Sequence, residues 1–116
     1  MSFDLVFAEP AEKTFNELEL AAHKAFKNRE KEKKSKSSKH EGLFKQVRKT
    51  LLLLAENPRH TSLHTHEYSS IPNPYNANEK VFEAYAQNNT SGAYRVFWCY
   101  GPDKKQITII AITAHP

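Results

Sequence analysis

The eight residues Ile107–Ala114 read ITIIAITA, an almost unbroken apolar run. The run falls far short of the ~20 apolar residues that a membrane helix takes, and its composition is that of a central strand. A central strand needs neighbours. Ala93–Tyr100 is rich in aromatic and β-branched residues, and Gly101-Pro102-Asp103 supplies a turn between it and the final run. Val81–Gln87 alternates Phe82, Ala84 and Ala86 against Val81, Glu83, Tyr85 and Gln87, which is a third strand pattern. Three consecutive strands of this kind make an antiparallel meander.

The first half of the chain reads differently. Ser2–Ala8 alternates Phe3, Leu5 and Phe7 against Ser2, Asp4 and Val6, a strand. Pro10 suits the first turn of a helix, where its missing N–H is not needed. Ala11, Phe15, Leu18 and Ala22 then recur at helical spacing, giving one apolar stripe that runs to about Lys27, with a charged helical extension beyond it left open. Gly42 restarts order. Leu43, Val47, Leu51 and Leu54 mark a second helix, with Phe44, Leu52 and Leu53 broadening its stripe and Asn57-Pro58 stopping it. From Arg59 to Asn78 the residues are turn-like. The expected fold is therefore α+β in the order β-α-α-β-β-β. A helical hairpin packs on one face of an antiparallel sheet, and the other face is open to bind something.

At 116 residues the chain has room for one core, so a single domain over residues 1–116 is expected. The start, Met1-Ser2-Phe3-Asp4, has no basic, apolar leader pattern. The one cysteine, Cys99, excludes an internal disulfide, and it reads as core rather than as a nucleophile. A reducing cytoplasm and no membrane contact fit these features. The net charge is +4, but it is uneven: residues 27–49 hold ten Lys or Arg against three acids. Such a field favours a polyanion, whereas the bland reading is a solvated connection. The stretch of about 28–41, with its KSKSSK core at Lys34–Lys39, is expected to be a charged, mobile connection between the helices.

The order of elements resembles the RelE/ParE superfamily of toxins from type II toxin–antitoxin systems. The resemblance rests also on Leu54-Ala55-Glu56-Asn57-Pro58, on Leu63, on Tyr94-Arg95-Val96-Phe97 and on the ending Thr113-Ala114-His115. It covers the chain apart from the long charged connection. It implies that Arg95 and His115 take part in RNA cleavage, with Glu83 a third catalytic candidate. Arg59, His60, His64 and His66, with Lys45, Arg48 and Lys49 of the basic run, would contact RNA. It also implies a tyrosine or second arginine beyond the last strand, which this sequence, stopping at Pro116, does not supply.

Cleavage without a metal needs a base for the 2′-OH, a cation for the phosphorane and an acid for the leaving 5′-oxygen. Arginine suits the second task because its fork matches phosphate oxygens. Histidine suits the other two. If Tyr100 pairs with Gln106, Arg95 lies opposite Ala111, and Arg95, Thr113 and His115 share a face with Phe97, Cys99, Ile107 and Ile109. The bland alternatives are an Arg95–Glu83 ion pair, a solvated His115, and core roles for Tyr94, Trp98 and Tyr100. His60, His64 and His66 lack the sulfur or carboxylate company a zinc site usually has, so no metal or other cofactor is expected. Three functions stay open: an endoribonuclease acting on mRNA at the ribosome and held by a cognate antitoxin, a ParE-like inhibitor of DNA gyrase, and a binding module that lacks activity.

Overall fold

A computed structural model describes residues 2–33, 38–87 and 92–114. The elements run β1 (Asp4–Phe7), α1 (Glu9–Lys31), α2 (Lys39–Glu56), a single 3₁₀ turn (Thr61–Leu63), β2 (His66–Glu67), β3 (Phe82–Tyr85), β4 (Tyr94–Tyr100) and β5 (Gln106–Ala114). Among the described residues the strands form one sheet in the order β1-β5-β4-β3-β2. The apolar run at β5 is indeed interior, between β1 and β4. β1 pairs with it in parallel and the remaining pairs are antiparallel, so the sheet is mixed. The two-residue β2 is an addition to the expected order.

Both helices lie on one face. Ala11, Val47, Leu51 and Leu54 meet Phe82, Ala84, Val96, Trp98, Ile107, Ile109 and Ile112 in the core, with Phe15, Leu18 and Leu43 packed against it. Leu52 departs from expectation: it is 57% exposed and points away from this core. The helices reach into the charged stretch. α1 continues to Lys31, and α2 begins at Lys39 rather than at Gly42. Its start is fixed by a capping box, in which Ser38 Oγ accepts from the Glu41 N–H and Glu41 accepts from the Ser38 N–H. The Arg29 guanidinium then clasps Glu41 at 2.8 Å, tying the end of one helix to the start of the next. Residues 34–37 of the expected connection lie outside the described residues.

The β4–β5 register also departs from expectation. Tyr100 pairs with Ile107, and Arg95 pairs with Thr113 instead of Ala111. The ladder shifts between Phe97 and Trp98, where Ile110 is the extra residue on β5. A bulge of this kind reverses the alternation of one strand. Ile107 and Ile109, expected beside Arg95, therefore face the helices and are fully buried. Thr113 keeps the face of Arg95, as directly opposed residues do.

The far face is not open as expected. The stretch between β2 and β3 folds back across it. The Tyr68 ring packs on Phe97 at 4.7 Å, and the Tyr75 hydroxyl hydrogen-bonds Thr108 Oγ1 at 2.8 Å. Asn73 organises this cover, accepting from the N–H groups of Tyr75 and Asn76 and donating to the Lys80 carbonyl. Phe97, Cys99 and Thr108 are buried beneath it.

Candidate functional site

Four of the expected residues sit in one neighbourhood, with Tyr85 added. Alternation along β3 puts Glu83 and Tyr85 on the face away from the helices, and the ladder sets Tyr85 opposite Arg95 and His66 opposite Glu83. The Glu83 carboxylate is the hub. Its Oε1 lies 2.6 Å from His66 Nε2, and its Oε2 lies 3.8 Å from Arg95 Nε. The Arg95 guanidinium stacks over the Tyr85 ring at 4.1 Å and donates to the Ala93 carbonyl. His64 and His66 pack on the same tyrosine, with ring centroids 5.9 and 5.6 Å away.

Arg95 is 1% exposed and Glu83 4%. The expectation of a guanidinium standing on an open face is therefore corrected: Arg95 is enclosed, and the Glu83–Arg95 pairing named as the bland alternative is present. Two ions taken out of water carry several kcal/mol of desolvation each, which their attraction only partly repays. Packing alone would be served as well by apolar groups, so such a cluster in a small core invites a functional reading.

His66 differs from its partners because its side chain is 46% exposed. One ring nitrogen meets the Glu83 carboxylate and the other lies 3.1 Å from the His64 carbonyl. Both are acceptors, so the ring satisfies the two together only as a double donor. His64 supplies that carbonyl from a left-handed conformation, φ 49°, uncommon for a residue with a side chain. The exposed flank of His66 opens on a cleft of about 390 Å³, lined also by Arg59, Thr65, Glu67, Lys80 and Phe82. Arg59 lies over the Phe82 ring at 5.6 Å, and Lys80 pairs with Glu67 at 2.7 Å.

The remaining candidates go elsewhere. The His60 ring accepts from the Ser62 N–H and caps the 3₁₀ turn. Lys45, Arg48 and Lys49 are exposed on α2, turned from the sheet and so from the Glu83 cluster. His115 lies outside the described residues. Tyr85 and Lys80 were missed. Period-two spacing does put Tyr85 beside Glu83 in the sequence, but only the register reveals that it carries Arg95. Among the described residues no group of three or more His, Cys, Asp or Glu is placed to hold a metal, and no helix is long and apolar enough to cross a membrane.

These features define a class by fold: a helical hairpin on a mixed sheet with a short added edge strand. That is the fold of RelE. The chain is similar to the solved archaeal RelE–RelB complex from Pyrococcus horikoshii OT3, with a TM-score of 0.57 and 11% identity over 98% of this chain and 96% of that one. It is also similar to YafQ from E. coli strain BL21(DE3), with a TM-score of 0.47 and 11% identity over 97% of this chain and 92% of that one. No family model and no curated protein sequence matches the chain. The likeness of fold expected from the sequence is thus present.

Proposed function

We propose that the chain is a toxin of the RelE kind, controlled by a cognate antitoxin, and that it cleaves RNA in the cleft beside His66. The observation that carries the chemistry is a half-exposed imidazole held by a buried carboxylate at 2.6 Å, next to a cleft bearing an exposed guanidinium, Arg59. The RelE-like fold over nearly the whole chain carries the class. The RelB in that neighbour's complex is the reason for an antitoxin here.

His66, a donor at both ring nitrogens, is the acid: Nε2 stays with Glu83, and Nδ1 turns from the His64 carbonyl to give its proton to the 5′-oxygen. Arg59 faces the phosphate and offsets the charge of the phosphorane. Glu83 orients His66, and Arg95 holds Glu83, so both are positioning residues. In the reaction the 2′-oxygen loses its proton to a solvent water and bonds to phosphorus. The P–O5′ bond breaks, and the 5′-oxygen leaves as a hydroxyl after protonation, which gives a 2′,3′-cyclic phosphate.

The test is expression in bacteria with translation and replication followed separately, together with cleavage of a purified mRNA in vitro. Translation stops and fragments ending in cyclic phosphate appear. His66→Ala and Arg59→Ala, both at exposed positions, abolish the fragments while the fold is retained. A second reading is favoured by the enclosure of Arg95: a module that binds without cleaving. It holds if growth arrest persists in both variants and no fragments form, and an arrest confined to replication would turn it towards gyrase.

A further inference from the structure

The outer surface of α2 carries a stripe that neither the core nor the His66 cleft uses. Gly42, Lys45, Lys49 and Leu52 follow at intervals of three, four and three, with Arg48 alongside, so they share one helix face. That face is opposite the one formed by Val47, Leu51 and Leu54. Two of its residues are out of place on a merely solvated surface. Leu52 is 57% exposed. Gly42 sits inside the helix, where glycine is disfavoured, although a Cβ there would meet nothing within 4 Å. No contact within the described residues requires a glycine at that point.

We infer that this stripe docks an acidic amphipathic helix from a partner protein, which approaches the α2 backbone closely at Gly42, seats an apolar residue against Leu52 and sets its acids against Lys45, Arg48 and Lys49. Among the described residues none of these three cations has an ion pair. Of the acids near the stripe, Glu41 is taken up by Arg29, and Glu56 is exposed one turn beyond Leu52, at the end of the helix away from Gly42. A nucleic acid would use the cations but has no use for an exposed leucine beside a bare backbone. A packed helix uses all of them, because small residues let two helices approach closely. The inference goes beyond the proposed cleavage and does not draw on it.

The probe is a synthetic helical peptide with leucine at every third or fourth position and glutamate along both flanks. A scrambled peptide of the same composition and a single-stranded oligouridylate of equal charge serve as comparisons. Binding to the full chain is followed by calorimetry. The ordered peptide binds and the scrambled one does not. Leu52→Ser and Gly42→Ala each weaken binding about tenfold, although Gly42→Ala raises the melting temperature of the free chain. That opposition separates docking from misfolding. The inference is overturned if the ordered peptide does not bind, if the scrambled one binds equally, or if the oligouridylate binds and both variants leave every affinity unchanged. RNA cleavage by the same Leu52 and Gly42 variants is read in parallel. Loss of cleavage in His66→Ala with peptide binding intact shows that the two readings stand or fall separately.

Discussion

Arg95 Nε stands 3.8 Å from Glu83 Oε2, and the two side chains are 1% and 5% exposed. The separation is longer than an N–H···O hydrogen bond, so the contact is one of charge. Its electrostatic value is high only because water is excluded, and for the same reason either ion left alone is costly. Arg95→Met therefore destabilises the chain by about 3–5 kcal/mol. The pair Arg95→Met with Glu83→Leu recovers most of that loss, since neither charge then remains. Urea unfolding of the two single variants and the double variant measures the coupling. Equal and additive losses would refute it.

The clasp between the helices predicts an acid dependence. The Arg29 guanidinium beside Glu41, with help from the Ser38 N–H, holds the Glu41 carboxyl down at about 2 against an ordinary 4.5. A carboxyl lowered on folding binds fewer protons in the folded state than in the unfolded chain. Its contribution is complete above pH 4.5 and is lost as the pH falls through about 2. Glu41→Gln retains a capping-box side chain but removes the charge. The melting-temperature gap between the parent and this variant should be widest above pH 4.5 and should close towards pH 2. A gap that does not change with pH would leave the clasp without an electrostatic part.

Cys99 offers a simpler test. Burial pushes its thiol up to about 11, and the thiolate is the reactive form. At pH 8 the native chain should not react with a disulfide reagent, whereas the same chain in guanidinium should react fully. Fast labelling of native protein would mean that the covering residues Tyr68 and Tyr75 lift readily.

The elements were legible in the sequence because each has a periodicity of its own. Ala11, Phe15 and Leu18 mark α1, and Val47, Leu51 and Leu54 mark α2. The proximity of Glu83 to Arg95 was also within reach, since both fall on the odd positions of adjacent strands. What alternation does not carry is the extra residue at Ile110, because one apolar residue among several leaves no gap in the pattern. Nor does it carry the path of a turn-rich segment. Tyr68 and Tyr75 look like loop residues, yet they cover Phe97 and Thr108 and so close the face on which Arg95 was expected to be free. His66 was picked out as a histidine, but its value to the site comes from a two-residue strand too short to show a period.

The bulge itself can be tested by removing it. With Ile110 present, β5 points Ile107 and Ile109 at the helices below the shift and Ile112 at them above it, so both halves of the strand feed one core. Deleting Ile110 removes the extra residue and restores plain alternation: Ile109 and Ala111 become neighbours, and every other β4–β5 pair is kept. Deleting Ala111 as well takes one residue too many, and the resulting one-residue slip turns Ile112 out of the core and Thr113 into it. The double deletion therefore buries a hydroxyl among apolar groups and exposes isoleucine, at a loss of about 2–5 kcal/mol. The single deletion keeps Ile107, Ile109 and Ile112 facing the helices and should lose less than that. Near-UV circular dichroism of Trp98, which is fully buried between the layers, distinguishes the two. The double deletion should abolish its signal and the single deletion should keep it. A single deletion that abolishes the tryptophan signal would show that Ile110 is not the extra residue of this ladder.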